Sequence, residues 1–415
     1  MRRLAYVVLW LFVLLIPVEN TVLLGGVTLL RLVGVAGFAI GLFALLSDRQ
    51  VRPLRRVHAW MLLFTVTVAA SYSWSMAPGA TLSRIFTYLQ LLGMTWLIWE
   101  FGGQKKRQLG LLRAYVAGSV VSALGTIAQY LLKRSDSPQG IHRFAASGFD
   151  FNYLAVTLAL CVPIAWYLYV HDRRPFARWI YGATLPMISF AIILTGSRTG
   201  LLALLSGLLF VPLSSARLDL RRVMASIFVL LACAYAVVRL TPASSLERLS
   251  TIPAEVTRGT MSGRREIWRE GLAFARDHLL LGAGAGAYKE VSRWGDVAHN
   301  TFLAVLDEEG IVGLVFFCGI LIVLLRMVTR MPPLERNLWL VLLLTWGLGA
   351  SGLSWEYQKT TWFIFAMAAA QSALLGVRKR TIGVPDLRST RYAGDVRHGP
   401  AGNRAPDSRP GEDVS

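Results

Sequence analysis

Arg198 stands in Thr195-Gly196-Ser197-Arg198-Thr199-Gly200, between the apolar runs 180–194 and 201–213. A guanidinium at the edge of a bilayer is costly, so it marks a functional site unless it only snorkels to the headgroups. Arg264 and Arg265 belong to a second charged stretch, Met261-Ser262-Gly263-Arg264-Arg265-Glu266-Ile267-Trp268. His299 and Asn300 close a third, Trp294-Gly295-Asp296-Val297-Ala298-His299-Asn300. Arg143, in His142-Arg143-Phe144, and Asn152, in Phe149-Asp150-Phe151-Asn152-Tyr153, add a cation and an amide. Arginine binds phosphate through bidentate hydrogen bonds and keeps its charge at any working pH. A neutral histidine can take a proton from a sugar hydroxyl near neutral pH. If the fold gathers these residues on one face, that face suits an anionic, lipid-anchored substrate.

Each group also has a plainer reading. Arg264 could anchor a helix to lipid headgroups, and a lone histidine is more often structural than catalytic. The run Leu281-Gly282-Ala283-Gly284-Ala285-Gly286-Ala287-Tyr288 follows no strand, so it does not read as a dinucleotide loop. It reads as a tight bend, with or without a ligand nearby. No second His or Cys lies at ligand spacing from His299, so no metal and no other cofactor is expected. A short helix starting at His299 is expected to end in Asp307-Glu308-Glu309-Gly310. Three acids at a helix C-terminus oppose the helix dipole. They either mark the water boundary or serve the site, with Glu309 the acid placed to orient His299.

The elements that must position these residues are membrane helices. The chain has 415 residues, 54% of them hydrophobic and 16% charged, with a mean hydropathy of +0.51. A soluble domain cannot hide that much apolar surface. The expected fold is all-α: a polytopic membrane protein of about 12 transmembrane helices with one large periplasmic loop of amphipathic helices. The spans fall near 4–18, 21–46, 57–76, 82–101, 109–132, 151–170, 178–195, 199–214, 223–240, 311–328, 337–351 and 360–377. The net charge of +19 does not signal nucleic acid, because its Lys and Arg residues lie in short clusters between apolar runs. Those clusters occupy every second connection, which puts both termini in the cytoplasm. Met1-Arg2-Arg3 and the apolar run after it resemble a signal peptide, but no small-residue cleavage site follows, so this is kept as the first span. Cys161, Cys233 and Cys318 lie inside apolar segments and read as buried thiols.

The expected layout is transmembrane helices over 1–240, a periplasmic loop carrying catalytic residues over 241–310, transmembrane helices over 311–380, and a disordered cytoplasmic tail over 381–415. The outward part of the loop, 241–298, carries eight basic and seven acidic residues, a balance that suits a folded element resting on the membrane. Within it, Ser262 is the expected N-cap of an amphipathic helix whose apolar face is Trp268, Leu272, Ala275 and Leu279.

Four stretches resemble the O-antigen ligase and polymerase superfamily of bacterial membrane glycosyltransferases. They are Arg143 with Asn152-Tyr153-Leu154-Ala155; Gly196-Ser197-Arg198-Thr199-Gly200; Ser262-Gly263-Arg264 through Trp268 to Leu281-Gly282-Ala283-Gly284; and His299-Asn300 followed by Glu309-Gly310 and an apolar span. The likeness covers roughly 140–325, and Leu280 departs from it where many members carry proline. It implies an enzyme of the bacterial inner membrane acting at the periplasmic face. Its donor would be an undecaprenyl-diphosphate-linked glycan, and it would need neither a metal nor a nucleotide sugar. It also implies that Arg198 and Arg264 bind the diphosphate and that His299 is the essential histidine. Arg143, Asn152, Arg265, Asn300 and Glu309 would line the substrate site. Partners are then the lipid-linked glycan, a lipid A-core acceptor and membrane lipids. The acceptor stays open between lipid A-core, another lipid-linked repeat unit and a protein. Outside this class stands a transporter of an anionic lipid; a scaffold would leave Arg198 unexplained.

Overall fold

The computed structural model describes residues 1–19, 28–48, 51–134, 143–146, 148–214 and 263–382, with the single positions 224, 228, 231 and 235. His142, Cys233, Ser262, most of the expected span over 223–240 and the tail beyond 382 lie outside them. The chain divides into two units, Met1–Leu375 and Gly376–Ser415, and the first holds the bundle and the site.

The described residues form helices and no strand. The first five are α1 Arg2–Leu15, α2 Leu29–Asp48, α3 Arg56–Ala70, α4 Pro78–Phe101 and α5 Lys105–Leu131. Then come α6 Phe151–His171, α7 Pro175–Leu194, α8 Arg198–Leu208 and α9 Phe210–Leu213. After the undescribed stretch follow α10 Arg264–Asp277, α11 Tyr288–Val291, α12 Thr301–Thr329, α13 Pro333–Ala350 and α14 Lys359–Ile382. Among them α2, α5, α6, α7 and α12 are long and apolar enough to cross a bilayer. α4, α7 and α13 begin on proline, which suits a first helical position because the amide there has no helical partner to lose.

α6 is the axis of the bundle. Every residue from Leu154 to Leu168 is buried, and α5, α7, α8 and α13 pack around it. The expected hairpin of α7 and α8 is therefore loose: both lie along α6 and touch each other little. α3 packs on α4 and α12, and α1 on α2 and α5.

Helix ends sort the loops into two sets. At one end basic residues meet acids: Arg2 Nε lies 2.6 Å from Asp48 Oδ2, and Arg113 Nη2 lies 3.1 Å from Asp172 Oδ2. The Arg52 amide donates to Glu100 Oε2 at 2.8 Å at the same end. The opposite end carries 71–77, 143–150, 195–197, 263–300 and 351–358. All the candidate residues except Glu309 belong to these loops or to the first turn of the helix that follows.

Three local expectations need correction. Gly263, at φ +82°, precedes α10 in place of the expected Ser262 cap. The buried face of α10 is Ile267, Gly271 and Ala275, while Leu272 and Leu279 are exposed. The cause is contact: Gly271 packs against Leu303 and Asp307 of α12, so the helix is rolled toward the bundle. Asp307, Glu308 and Glu309 do not mark a water boundary, because all three are buried. They sit where α12 kinks at Gly310, whose φ of 66° and ψ of −166° break the helix.

Candidate functional site

The turn between α7 and α8 is built by short polar bonds. Thr195 Oγ1 donates to Ile192 O and accepts from the Ser197 amide. Ser197 then caps α8, its Oγ accepting from the Gly200 amide at 3.1 Å. Arg198 is thereby the first residue of α8. Arg143 joins the turn from the side: its Nε donates to Thr195 O at 2.7 Å and its Nη2 to Asn152 Oδ1 at 3.2 Å. Its guanidinium lies over Phe151, 4.3 Å from the ring centre. Asp150 caps α6 by accepting from the Asn152 and Tyr153 amides.

Arg264, the first residue of α10, reaches the same turn, with Nη1 donating to Thr199 Oγ1 at 3.4 Å. Gly352 fits between them. A Cβ there would stand 2.8 Å from Thr199 Oγ1 and 3.0 Å from Arg264 Nη1. The next contact leads to the histidine. Asn300 Nδ2 donates to Ser351 O at 3.3 Å, while Asn300 Oδ1 caps α12 by accepting from the Phe302 and Leu303 amides. Thr301 Oγ1 donates to Leu353 O at 2.8 Å and accepts from the Trp355 amide at 2.9 Å. The 351–358 loop thus ties the Arg198 turn, Arg264 and His299-Asn300 into one place. Arg265, the second residue of α10, is half-buried beside Arg264.

His299 adopts φ +48°, a left-handed conformation that costs a non-glycine residue energy. Its Nε2 lies 3.2 Å from Asp296 Oδ2, and Nδ1 is buried with no partner. In the tautomer with its proton on Nε2, His299 donates to Asp296. Asp296, not Glu309, is the acid beside the ring, and it could have been found from its position three residues before His299. Glu309 does not touch His299; both its carboxylate oxygens are buried without a hydrogen bond.

Electrostatics favour an anion at this place. α6, α8, α10 and α12 all begin here, and helix N-termini carry partial positive charge. Three of the four are capped by side chains, of Asp150, Ser197 and Asn300. A polar cavity of about 240 Å³ adjoins, lined by Glu19, Asp150, Tyr153, Trp355 and Gln358 among others. A larger apolar groove of about 360 Å³ lies between α1, α2 and α4, and none of the candidate residues lines it.

Beneath the site runs a charge cluster that the sequence does not announce. Arg84 of α4 stacks on Tyr357, 3.5 Å from the ring centre, and attracts Glu308 and Glu356. Glu308 Oε2 accepts from the Gly286 amide at 2.7 Å. Burial, with the Glu308 charge adding to it and Arg84 opposing it, pushes the Glu356 carboxyl up to about 8. Around this cluster wraps the glycine bend. The Ala283 amide donates to Asp307 O and the Gly284 amide to Glu308 O. The Ala285 amide donates to Ser71 Oγ, and Trp74 Nε1 donates to Leu281 O. The bend is the close backbone approach expected of it, made to neighbouring protein.

The molecule is a helical membrane protein that gathers Arg143, Arg264 and His299 with the Arg198 turn at one end of its bundle. The family model described as O-antigen ligase matches residues 182–318, which include Arg198, Arg264, His299 and Glu309 but neither Arg143 nor Asn152. The chain is 26% identical over 357 residues to an O-antigen ligase of Pseudomonas aeruginosa, covering 82% of this chain and 83% of that protein. Both matches bear out the resemblance to the O-antigen ligase superfamily.

Proposed function

We propose that this protein is an inner-membrane glycosyltransferase of the O-antigen ligase kind, acting at the periplasmic end of its bundle. It moves a glycan from undecaprenyl diphosphate to a sugar hydroxyl of lipid A-core. The observation that carries the reading is the junction at Gly352, where Arg264 meets the Arg198 turn one residue from the Ser351 carbonyl that holds Asn300.

In this reading Arg198 and Arg264 grip the diphosphate and stabilise the charge it gains as it leaves. Arg143 adds to the same positive field. His299 takes the proton of the acceptor hydroxyl, whose oxygen attacks the anomeric carbon from the face opposite the diphosphate. The carbon–oxygen bond to phosphate breaks, its electron pair goes to the leaving group, and the configuration inverts. Asp296 holds the imidazole and balances the imidazolium. Both chain termini then lie in the cytoplasm, where the basic clusters place them.

The test is transfer in a purified system: the protein, an undecaprenyl-diphosphate glycan and lipid A-core, with the lipopolysaccharide shift read on a gel. A ladder from wild type that disappears in His299→Ala and Arg264→Ala, both still folded, is the expected result. Wild-type transfer by either variant overturns the roles assigned. Glycan lengthening on the lipid carrier instead of a ladder would replace the ligase with a polymerase using the same donor site.

A further inference from the structure

α10 turns its apolar face to α12, so its own flank does not bring it to the membrane. The turn after it does. Leu279, Leu280 and Leu281 are 50%, 67% and 44% exposed, with Leu272 exposed beside them. Three consecutive exposed leucines are an unusual surface unless something apolar covers them.

Their place is fixed by backbone bonds. The Ile311 amide donates to Leu279 O at 2.8 Å. Ile311 and Val312 begin the outward apolar stripe of α12, which continues through Val315, Ile322 and Leu325. On the other side Trp74 Nε1 donates to Leu281 O at 3.0 Å, and Tyr72, Met76 and Leu82 on the segment around Trp74 are exposed. The leucines therefore continue two stripes that already face lipid. Three of the turn's backbone groups are already satisfied, and the acyl–headgroup boundary, unlike the hydrocarbon core, leaves water within reach of the others. The Gly282 amide donates to His278 O, and Leu279 O and Leu281 O both accept. Arg269 and Arg276, exposed on α10, are long enough to reach headgroup phosphates from there.

We propose that Leu279-Leu280-Leu281 dips into the acyl–headgroup boundary of the leaflet at that end of the bundle and anchors α10 to the bilayer. The fourteen residues of α10 span roughly 21 Å, so the anchor sets the height of Arg264 at the other end. The inference needs only that the bundle spans a membrane and stands apart from the glycan-transfer reading.

Photocrosslinking tests it on the full chain in vesicles of phosphatidylethanolamine and radiolabelled phosphatidylglycerol. Benzoylphenylalanine is placed at Leu280, and in a second protein at Val315 as the lipid-facing reference. A labelled phospholipid adduct at position 280 with a yield like that at 315 is the expected result. Adduct at 315 with none at 280 overturns the proposal, as does a protein–protein adduct at 280, which would mean that a second copy or another segment covers the leucines. Each variant must elute as folded protein in detergent.

Discussion

Gly310 is the hinge on which the site is hung, and Gly310→Ala should damage the protein more than any other glycine change at the same sign of φ. Its φ of 66° with ψ of −166° is a region that only glycine enters readily. Holding alanine there costs about 1–3 kcal/mol. Space is a second cost. A Cβ would overlap the Leu280 carbonyl oxygen and stand 2.5 Å from the Leu281 nitrogen. Both are backbone atoms held by the bend, and overpacking against such a wall adds about 1–3 kcal/mol. The sum is about 2–6 kcal/mol. Gly263 supplies the control. It has φ +82°, but a Cβ would meet nothing within 4 Å, so Gly263→Ala carries only the conformational cost of about 1–2 kcal/mol. The assay is the loss of the folded elution peak on heating in detergent, joined to limited proteolysis of the 263–300 loop. Gly310→Ala should melt well below Gly263→Ala and lose loop protection first. Equal midpoints with equal protection would refute the claim that the kink seats the bend.

Asp296→Asn keeps the shape of the His299 partner but removes the charge that favours a proton on Nε2 and steadies the imidazolium. Turnover should fall about a hundredfold, within the usual reach of acid–base catalysis, with donor KM little changed; a change in KM alone would show that Asp296 binds substrate instead. Glu356 supplies a pH test. Its carboxyl is raised from an ordinary 4.5 to about 8, so the folded protein holds a proton that the unfolded chain has lost. That contribution to stability is complete below about 4.5 and is lost as pH rises through about 8. The melting midpoint should therefore drop across this window, and Glu356→Gln should flatten part of the drop; an unchanged slope would count against the buried proton.

Periodicity and charge clusters made the helices legible, because in a membrane protein both report directly on the solvent. Arg198 stood out for the same reason, as a cation at the end of an apolar run, whereas Arg264 and His299 stood out through the resemblance of their stretches to the family. The stretch 351–358 was not. Ser351, Gly352 and Leu353 contribute backbone carbonyls and a missing side chain, and neither leaves a mark in residue type. The roll of α10 was missed because hydrophobic spacing alone cannot tell which neighbour claims the helix. Here Gly271 decides it by admitting Leu303 and Asp307. The three acids misled for a related reason. Isolated charges do end spans at water, but these are covered by the glycine bend, with Arg84 arriving from 220 residues or more away in sequence.

These misses share one cause, and it bears on how the site is held. Several residues in and around the site are fixed by the backbone of a distant segment: Arg143 by Thr195, Asn300 by Ser351 and Thr301 by Leu353. Backbone contacts of that kind tolerate many side chains. They can persist while side chains diverge. The arginines and the histidine are different, since their side chains are the chemistry and no backbone group replaces a guanidinium. A Lys in place of Arg264 would keep the charge and the helix start but lose the planar fork that grips two phosphate oxygens. Arg264→Lys should therefore retain folding and some donor binding while transfer falls below wild type, and full transfer would mean that Arg264 acts only as a point charge.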